Sequence, residues 1–358
     1  ALAVEWDEGH LWQQEELEEI VTAGGRGGVN IQREGSADSV LKQGTPITAE
    51  YRCSMGAHAP MEPQAALAII GPEGGQVWTA TQYETSARGR VAEALGLEPT
   101  QIEVIPTYLG GGFGRKIELP PVPSPAVEAA HLSRAVGAPV HVGWDRTEEM
   151  RDGFLRPLSH HRLSAVLTAE GRIEAMRHEQ ASDDALAGAF PAPVARILGF
   201  DFGVTRGAQI FYDIANKDTT AWRRTTPVPT GTWRGVGLMP NIFALESFID
   251  ELAHAAGEDP VQFRLAHLPD DALGERMRAV LLAAAERSGW GQSRVAGRAQ
   301  GLACCNDGGT VVAEIAEVSV DQDSGQIRVH RVVAAVDCGR PINPDGAIAQ
   351  VEGSIVMG

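Results

Sequence analysis

The sequence predicts an α+β fold built from β-α-β units in two lobes, and three observations carry that prediction. A helical stretch from Glu84 to Leu95 lies between strand-like Val77–Thr81 and the apolar run Ile102–Tyr108. The alternation recurs where a helical pattern at Ala126–Val136, closed by Gly137, leads into strand-like Val140–Trp144. Two further segments, 161–178 and 311–336, alternate apolar and polar residues around Gly-containing turns, as antiparallel partners do. With 358 residues, 43% hydrophobic and 22% charged, the chain is long enough for two domains or one large body. Residues 1–50 read as an N-terminal arm or the tail of a preceding unit, 51–290 as a first unit and 291–358 as the start of a second.

Taken in order, strand-like Leu2–Trp6 and an acidic helical patch, Gln14–Thr22, precede the loop Gly24-Gly25-Arg26-Gly27-Gly28. Strands follow at Ile47–Cys53, Gln64–Ile70 and Val77–Thr81, then the helix at Glu84, whose apolar face is Val91, Ala92 and Leu95 and whose stop is Gly96. After the second strand of the β-α-β unit comes a Pro-rich loop, 120–125, in which Ser124-Pro125 supplies an N-cap and a first helical residue. A hairpin is expected from His161–Thr168 and Arg172–His178, and 182–216 gives only a weak, meandering signal. Helices are expected at Asn241–Ala256, from Asp259-Pro260 and at Ala272–Arg287, a strand pair at Val311–Val320 and Gln326–Val336, and a short helical pattern around Gln350.

The net charge of −17 argues against nucleic acid or an anionic membrane as partner. No run approaches the ~20 apolar residues of a transmembrane helix, and the opening residues lack the basic and apolar regions of a signal peptide. Cytoplasmic placement is the expectation, with the periplasm left open. Cys53, Cys304, Cys305 and Cys338 show no C-x-x-C spacing, so neither a metal or iron–sulfur ligand set nor a disulfide framework is expected.

The chemistry concentrates at Leu109-Gly110-Gly111-Gly112-Phe113-Gly114-Arg115-Lys116, directly after a strand. Four glycines in five positions let backbone amides approach a large ligand closely, and the two following cations suit the phosphates of a polyanionic cofactor. A Walker A loop is excluded, because Arg115 stands at the second glycine and Ile117 follows the lysine. A dinucleotide fingerprint fails as well, with Arg115 or Ile117 at its third glycine. Alone, the run would read as a flexible turn.

It has companions. Thr81-Gln82 precedes it, Trp233-Arg234-Gly235-Val236-Gly237 follows it, and Asp337-Cys338-Gly339-Arg340-Pro341-Ile342-Asn343-Pro344 with Gln350-Val351-Glu352-Gly353 ends the chain. Together these resemble the large, molybdopterin-binding subunit of the xanthine oxidase family of molybdenum hydroxylases. His58–Pro63 and Asn241–Leu252 resemble the branch of isoquinoline 1-oxidoreductase β subunits and related bacterial aldehyde dehydrogenase subunits. The resemblance spans nearly the whole chain. It implies a molybdenum cofactor-binding domain of the xanthine oxidase/aldehyde oxidoreductase type over 51–290 and the start of a second over 291–358.

Position by position, the resemblance makes Gln82 the glutamine that hydrogen-bonds an oxo ligand of molybdenum and Phe113 a border of the substrate pocket, the two catalytic-site candidates. Gly111, Gly112, Phe113, Gly114, Arg115, Arg234 and Gln350 are the implied cofactor contacts. No side chain is expected to ligate the metal, which the pterin dithiolene holds. The implied cofactor is molybdopterin, in bacterial relatives usually the cytosine dinucleotide. The implied reaction oxidises an N-heterocycle or aldehyde with water as the oxygen source and passes electrons to [2Fe–2S] clusters on a small partner subunit. The family's glutamate base is expected beyond Gly358 and its G-Q-G loop before Ala1, so the chain reads as a fragment, catalytic only with the remaining parts of the large subunit. Ile117, where purine-oxidising enzymes carry Glu, weighs against a purine. The alternative is a non-catalytic scaffold or binding module with a decayed cofactor site.

Other polar residues have plainer expectations. Glu118, Glu128 and Asp145 read as solvated, His160-His161 as an edge or loop pair, His58 and Glu62 as structural, and Trp222 and Trp233 as either packing or pocket residues.

Overall fold

A computed structural model of the chain describes residues 7, 9–118, 123–186, 200–292 and 295–358. The strand expected at Leu2–Trp6, the Pro-rich stretch 120–122 and part of the meander at 182–216 lie outside the described residues.

The first half holds two sheets. Strands Val29–Glu34 (β1), Ile47–Cys53 (β2), Ser159–Leu167 (β7), Ile173–Ser182 (β8) and Asn216–Arg223 (β9) form a five-stranded sheet in the order β1-β9-β8-β7-β2. Strands Ala65–Gly71 (β3), Gly74–Thr79 (β4), Ile102–Pro106 (β5) and Val140–Gly143 (β6) form a four-stranded sheet in the order β5-β4-β3-β6. Helices α1 (Gln14–Ile20), α2 (Ala37–Gln43), α3 (Glu84–Leu95), α4 (Pro125–Val136) and α5 (Arg146–Asp152) accompany them.

The expected β-α-β unit is present: β4 and β5 pair in parallel with α3 between them. One face of this sheet is covered by α3 and α4, which set Ala87, Val91, Leu95, Ala126, Ala129 and Ala130 against Ala66, Ala68, Ile70, Val77 and Val104. Alanine on both sides lets helix and sheet approach closely. Both helices stop where expected, at Gly96 and Gly137, each in the left-handed conformation that glycine adopts without steric cost. Ser124 caps α4 by accepting from Val127 N at 3.4 Å.

The hairpin of β7 and β8 forms the middle of the larger sheet and is buried on both faces. Leu163, Ala165 and Met176 pack against Leu245, Phe248, Ile249 and Leu252 of α6 (Leu238–Ala256). On the other face Val166 and Ala175 meet Ala37 and Leu41 of α2. The core continues through α7 (Pro260–His267) and α8 (Ala272–Ser288) into an antiparallel sheet of Ala299–Asp307 (β10), Thr310–Val320 (β11) and Ile327–Asp337 (β12), paired in that order. Helix α9 (Pro344–Met357) ends the chain with no buried residue.

Several elements differ from expectation. Residues 29–50, read as part of an arm or tail, supply β1, α2 and most of β2, which form the two edges of the five-stranded sheet and part of its cover. The alternation of β1 is short and polar because this edge strand has no buried residue. His160 and His161 sit at neither an edge nor a loop: β7 is flanked by β8 and β2, and both rings are buried. His160 Nδ1 accepts from Ala23 N, and His161 is hydrogen-bonded to His178 at 3.1 Å. Burial holds both His161 and His178 neutral, the latter with its pKa lowered to about 4. Trp222 packs with Leu17, Val21 and Leu158, so it is a core residue. Asp145 caps α5 by accepting from Glu148 N, and Glu128 accepts from Trp144 Nε1. Glu118 is buried, with its pKa raised by desolvation, where a solvated face was expected.

Candidate functional site

The loop after β5 is fixed in shape by its glycines. At Gly112 a Cβ would overlap the Gln82 carboxamide, and at Gly114, with φ +103°, it would overlap the Thr232 carbonyl. Gly111 also takes a left-handed φ of +95°, with a Cβ position closed by the Phe113 ring. Phe113 itself sits at φ 54°, a strained conformation for a residue with a side chain. The strain is offset by anchoring on every side. Gln82 Oε1 accepts from Gly114 N at 3.0 Å and Lys116 N at 3.3 Å, and Gln82 N donates to Lys116 O at 2.7 Å. Glu62 accepts from Gly110 N at 2.9 Å and is ion-paired with the buried Lys116 ammonium. Phe113 O accepts from Arg234 N at 2.9 Å, and Gly114 O accepts from Thr232 Oγ1 at 3.0 Å.

These contacts leave a specific set of donors uncommitted. Gln82 is exposed, and with its oxygen committed to the loop its Nε2 group has no acceptor among the described residues. The N–H groups of Gly112 and Phe113 have none either among the described residues.

The second wall is Thr232–Gly237, which precedes α6. His58, with Nε2 2.7 Å from Thr232 O, supports it, and burial lowers the His58 pKa to about 4. Trp233 lies tilted against His58 with centroids 4.8 Å apart and lies under the Arg156 guanidinium. Val236 at φ 53° is a second strained non-glycine residue, and it faces the same space as Phe113. The third wall is α9. Arg234 Nη2 donates to Gln350 O at 2.8 Å and to Gln350 Oε1 at 3.1 Å, and these are the hydrogen bonds that tie α9 to the rest of the described chain.

The three walls enclose a groove of about 720 Å³. Gln82, Gly112, Phe113, Gly114, Arg234 and Gln350 all line it. Gly111 lies in the loop beside it. Leu109, Ile117, Leu186 and Val236 make much of the remainder apolar, and Arg234 is the one ionisable side chain among its described lining residues. Leu186 was not anticipated. Buried Asp201 positions it by accepting from the amides of Ala185 and Leu186 at 2.8 and 2.6 Å. Nothing short-range in the sequence signals this, because donors and acceptor are 15 and 16 residues apart.

Arg115 and Lys116, the cations expected to meet phosphates, both turn away from the groove. Lys116 is 1% exposed against Glu62, and Arg115 is 5% exposed between Trp144 and Phe154, its guanidinium carbon 5.5 and 5.1 Å from the ring centroids. The physical reason is the tight turn: Arg115 N donates to Gly112 O at 2.8 Å, which reverses the chain and points both stems into the body.

Residues 23–268 match a model described as a molybdopterin cofactor-binding domain, and residues 291–358 match a second of the same description. The chain is 34% identical over 352 residues to the β subunit of isoquinoline 1-oxidoreductase from Brevundimonas diminuta, covering 97% of this chain and 42% of that one. It is 32% identical over 330 residues to a nicotinate dehydrogenase subunit from Pseudomonas putida, covering 84% and 26%. It thus spans less than half the length of these relatives. In fold it resembles the aldehyde oxidoreductase from Desulfovibrio gigas, with a TM-score of 0.61, 21% identity, and coverage of 85% of this chain and 35% of that one. The quinoline 2-oxidoreductase from Pseudomonas putida 86 gives the same score and identity over 80% and 38%.

Proposed function

The chain belongs to the molybdopterin cofactor-binding domain family, among the large subunits of xanthine oxidase-type molybdenum hydroxylases, and on that premise we propose that its groove seats the cofactor of an oxidoreductase acting on N-heterocycles or aldehydes. The observation that supports this most is the donor set. Gln82 Nε2 and the Gly112 and Phe113 amides face a groove with no described carboxylate and one guanidinium, in a chain of net charge −17. Such a surface fits an anionic, oxygen-rich group.

In this reading Gln82 donates through Nε2 while its oxygen locks the loop that carries the other donors. Gly112 must be glycine, because the space of its Cβ is where the Gln82 carboxamide lies. Phe113 and Val236 present apolar surface across the groove and exclude water from it. Arg234 and Gln350 hold α9 against the loops and supply a cation and a carboxamide at the far wall. When bound, the cofactor supplies two-electron oxidation of the substrate with oxygen from water. None of the described groove residues is placed to act as a proton acceptor, so the chain's part is to bind and orient.

The cytosine dinucleotide form belongs to the same proposal, as does a small [2Fe–2S] partner, for which the naming of relatives as subunits is support. Because the chain spans only part of those relatives, activity is proposed for the whole protein. Molybdenum and pterin analysis of that protein, purified from its native host, tests the reading. Near-stoichiometric metal lost in Gln82→Ala supports it, and a native protein with neither metal nor pterin overturns it.

A further inference from the structure

The apolar side of the groove is set by a residue that does not line it. Leu186 and Val236 both face the groove, and Gly203 touches the two of them without being among its described lining residues. A Cβ built on Gly203 would lie 2.9 Å from Leu186 Cδ1 and 3.0 Å from Val236 Cγ1, inside the 3.4–4 Å of ordinary packing. Gly203 is not one of the left-handed glycines, so backbone conformation does not require glycine there. What requires it is the space that two groove side chains occupy.

The main chains around this point are held from several sides. Asp201, 1% exposed, accepts from Leu186 N at 2.6 Å and Ala185 N at 2.8 Å through Oδ2, and from Gly203 N at 2.7 Å through Oδ1. Gly203 O accepts from Gly237 N at 3.0 Å, which ties Gly203 to the residue after Val236. Val236 N in turn donates to Trp233 O at 2.7 Å. One carboxylate and one carbonyl therefore join the segments 185–186, 201–203 and 236–237 around a position that has no side chain. Asp201 Oδ1 closes the remaining side, 2.9 Å from the same Cβ position.

We infer that Gly203 is a specificity-determining spacer: by omitting a side chain it lets Leu186 and Val236 stand back, and so sets the breadth left for a flat substrate in the groove. The inference rests on the reading of this groove as the seat of cofactor and substrate. With the main chains held, a methyl group at position 203 is accommodated by swinging the Leu186 and Val236 side chains, and the open space beside them is the groove they line. Gly203 acts only through these two neighbours, as a positioning residue.

The test compares the whole protein, purified from its native host, with its Gly203→Ala variant in two readouts. In crystal structures, the Leu186 and Val236 side chains are expected to move about 0.5–1 Å into the groove while the 201–203 backbone stays in place. A backbone that shifts instead and leaves the groove breadth unchanged overturns the inference, with or without bound cofactor. In turnover, kcat/KM for a bicyclic substrate, isoquinoline or naphthaldehyde, is expected to fall about tenfold or more relative to a monocyclic one, pyridine or benzaldehyde, at unchanged molybdenum content. Equal losses for both sizes overturn it. Adding Leu186→Ala to Gly203→Ala relieves the crowding and is expected to return the ratio toward wild type, which a general folding defect would not do. A protein without molybdenum fails the cofactor reading alone and leaves the crystallographic comparison to decide this one.

Discussion

The carboxamide oxygen of Gln82 sits 3.0 Å from the amide of Gly114, and that one bond orients both ends of the side chain. The oxygen faces the loop, so the nitrogen faces the groove. A residue singled out for one contact therefore has two separable jobs, acceptor toward its own chain and donor toward a ligand.

Separation of the two is testable. Gln82→Glu keeps an acceptor for the Gly114 and Lys116 amides but removes the outward donor and adds negative charge. Tm is expected to stay within about 2 °C, while molybdenum retention in the purified protein falls about tenfold or more. Gln82→Ala loses both roles and costs about 1 kcal/mol of stability as well. Equal retention in wild type and Gln82→Glu would sink the assignment.

Gly112→Ala pushes a methyl group into the Gln82 carboxamide and should destabilise by roughly 1–3 kcal/mol in chemical denaturation. Gly89, within α3, has nothing within 4 Å of its Cβ position, and Gly89→Ala should stabilise by about 0.5–1 kcal/mol. The contrast in sign, read from two denaturation midpoints, isolates sterics from helix propensity.

Arg234→Met removes both hydrogen bonds that hold α9. Amide exchange within 344–357 should accelerate at least tenfold, with exchange in α3 unchanged as the internal control. Arg234→Lys, which offers a point charge without the planar fork, should recover only part of the protection. Unchanged exchange in Arg234→Met would mean α9 is held by other forces.

Two buried groups give opposite pH dependences. His58 has a folded pKa of about 4 against 6.5 unfolded, so the unfolded chain binds more protons and stability is lost as pH falls from 6.5 toward 4. Asp183, which accepts from the Asp184 and Thr226 amides, has its pKa raised by burial to about 6. Its native state holds the proton longer, so its contribution decreases as pH rises from 3.8 to 6 and is constant above. In denaturant titrations between pH 4 and 6, His58→Gln should make the acid-side loss of stability shallower and Asp183→Asn should make it steeper. Matching slopes in both variants would contradict these assignments.

Helix boundaries were the most legible feature, because they depend on local rules. Glu84–Leu95 matches its expected span, and α8 ends one residue past its expected limit, with Gly289 left-handed as its stop. Short polar strands were the least legible. β1 and β9 carry few apolar residues, and each is recognised as a strand only by the neighbour it pairs with. At the site, Gln82, Gly112, Gly114, Arg234 and Gln350 line one groove, and Gly111 lies in the loop beside it. The reading of Arg115 as a phosphate contact does not hold, since charge in a sequence has no direction.

By itself the sequence determined the kinds of element, their order and the groups available for an anionic ligand, because propensity, capping and glycine chemistry act over a few residues. Only the tertiary structure decided which way those groups face. The turn from Gly112 to Arg115 sends two cations inward, the Gln82 oxygen is taken by a loop 32 residues further along, and Arg234 reaches a helix 116 residues away. Those outcomes depend on which buried charges can find partners, and that is settled by packing across the whole chain.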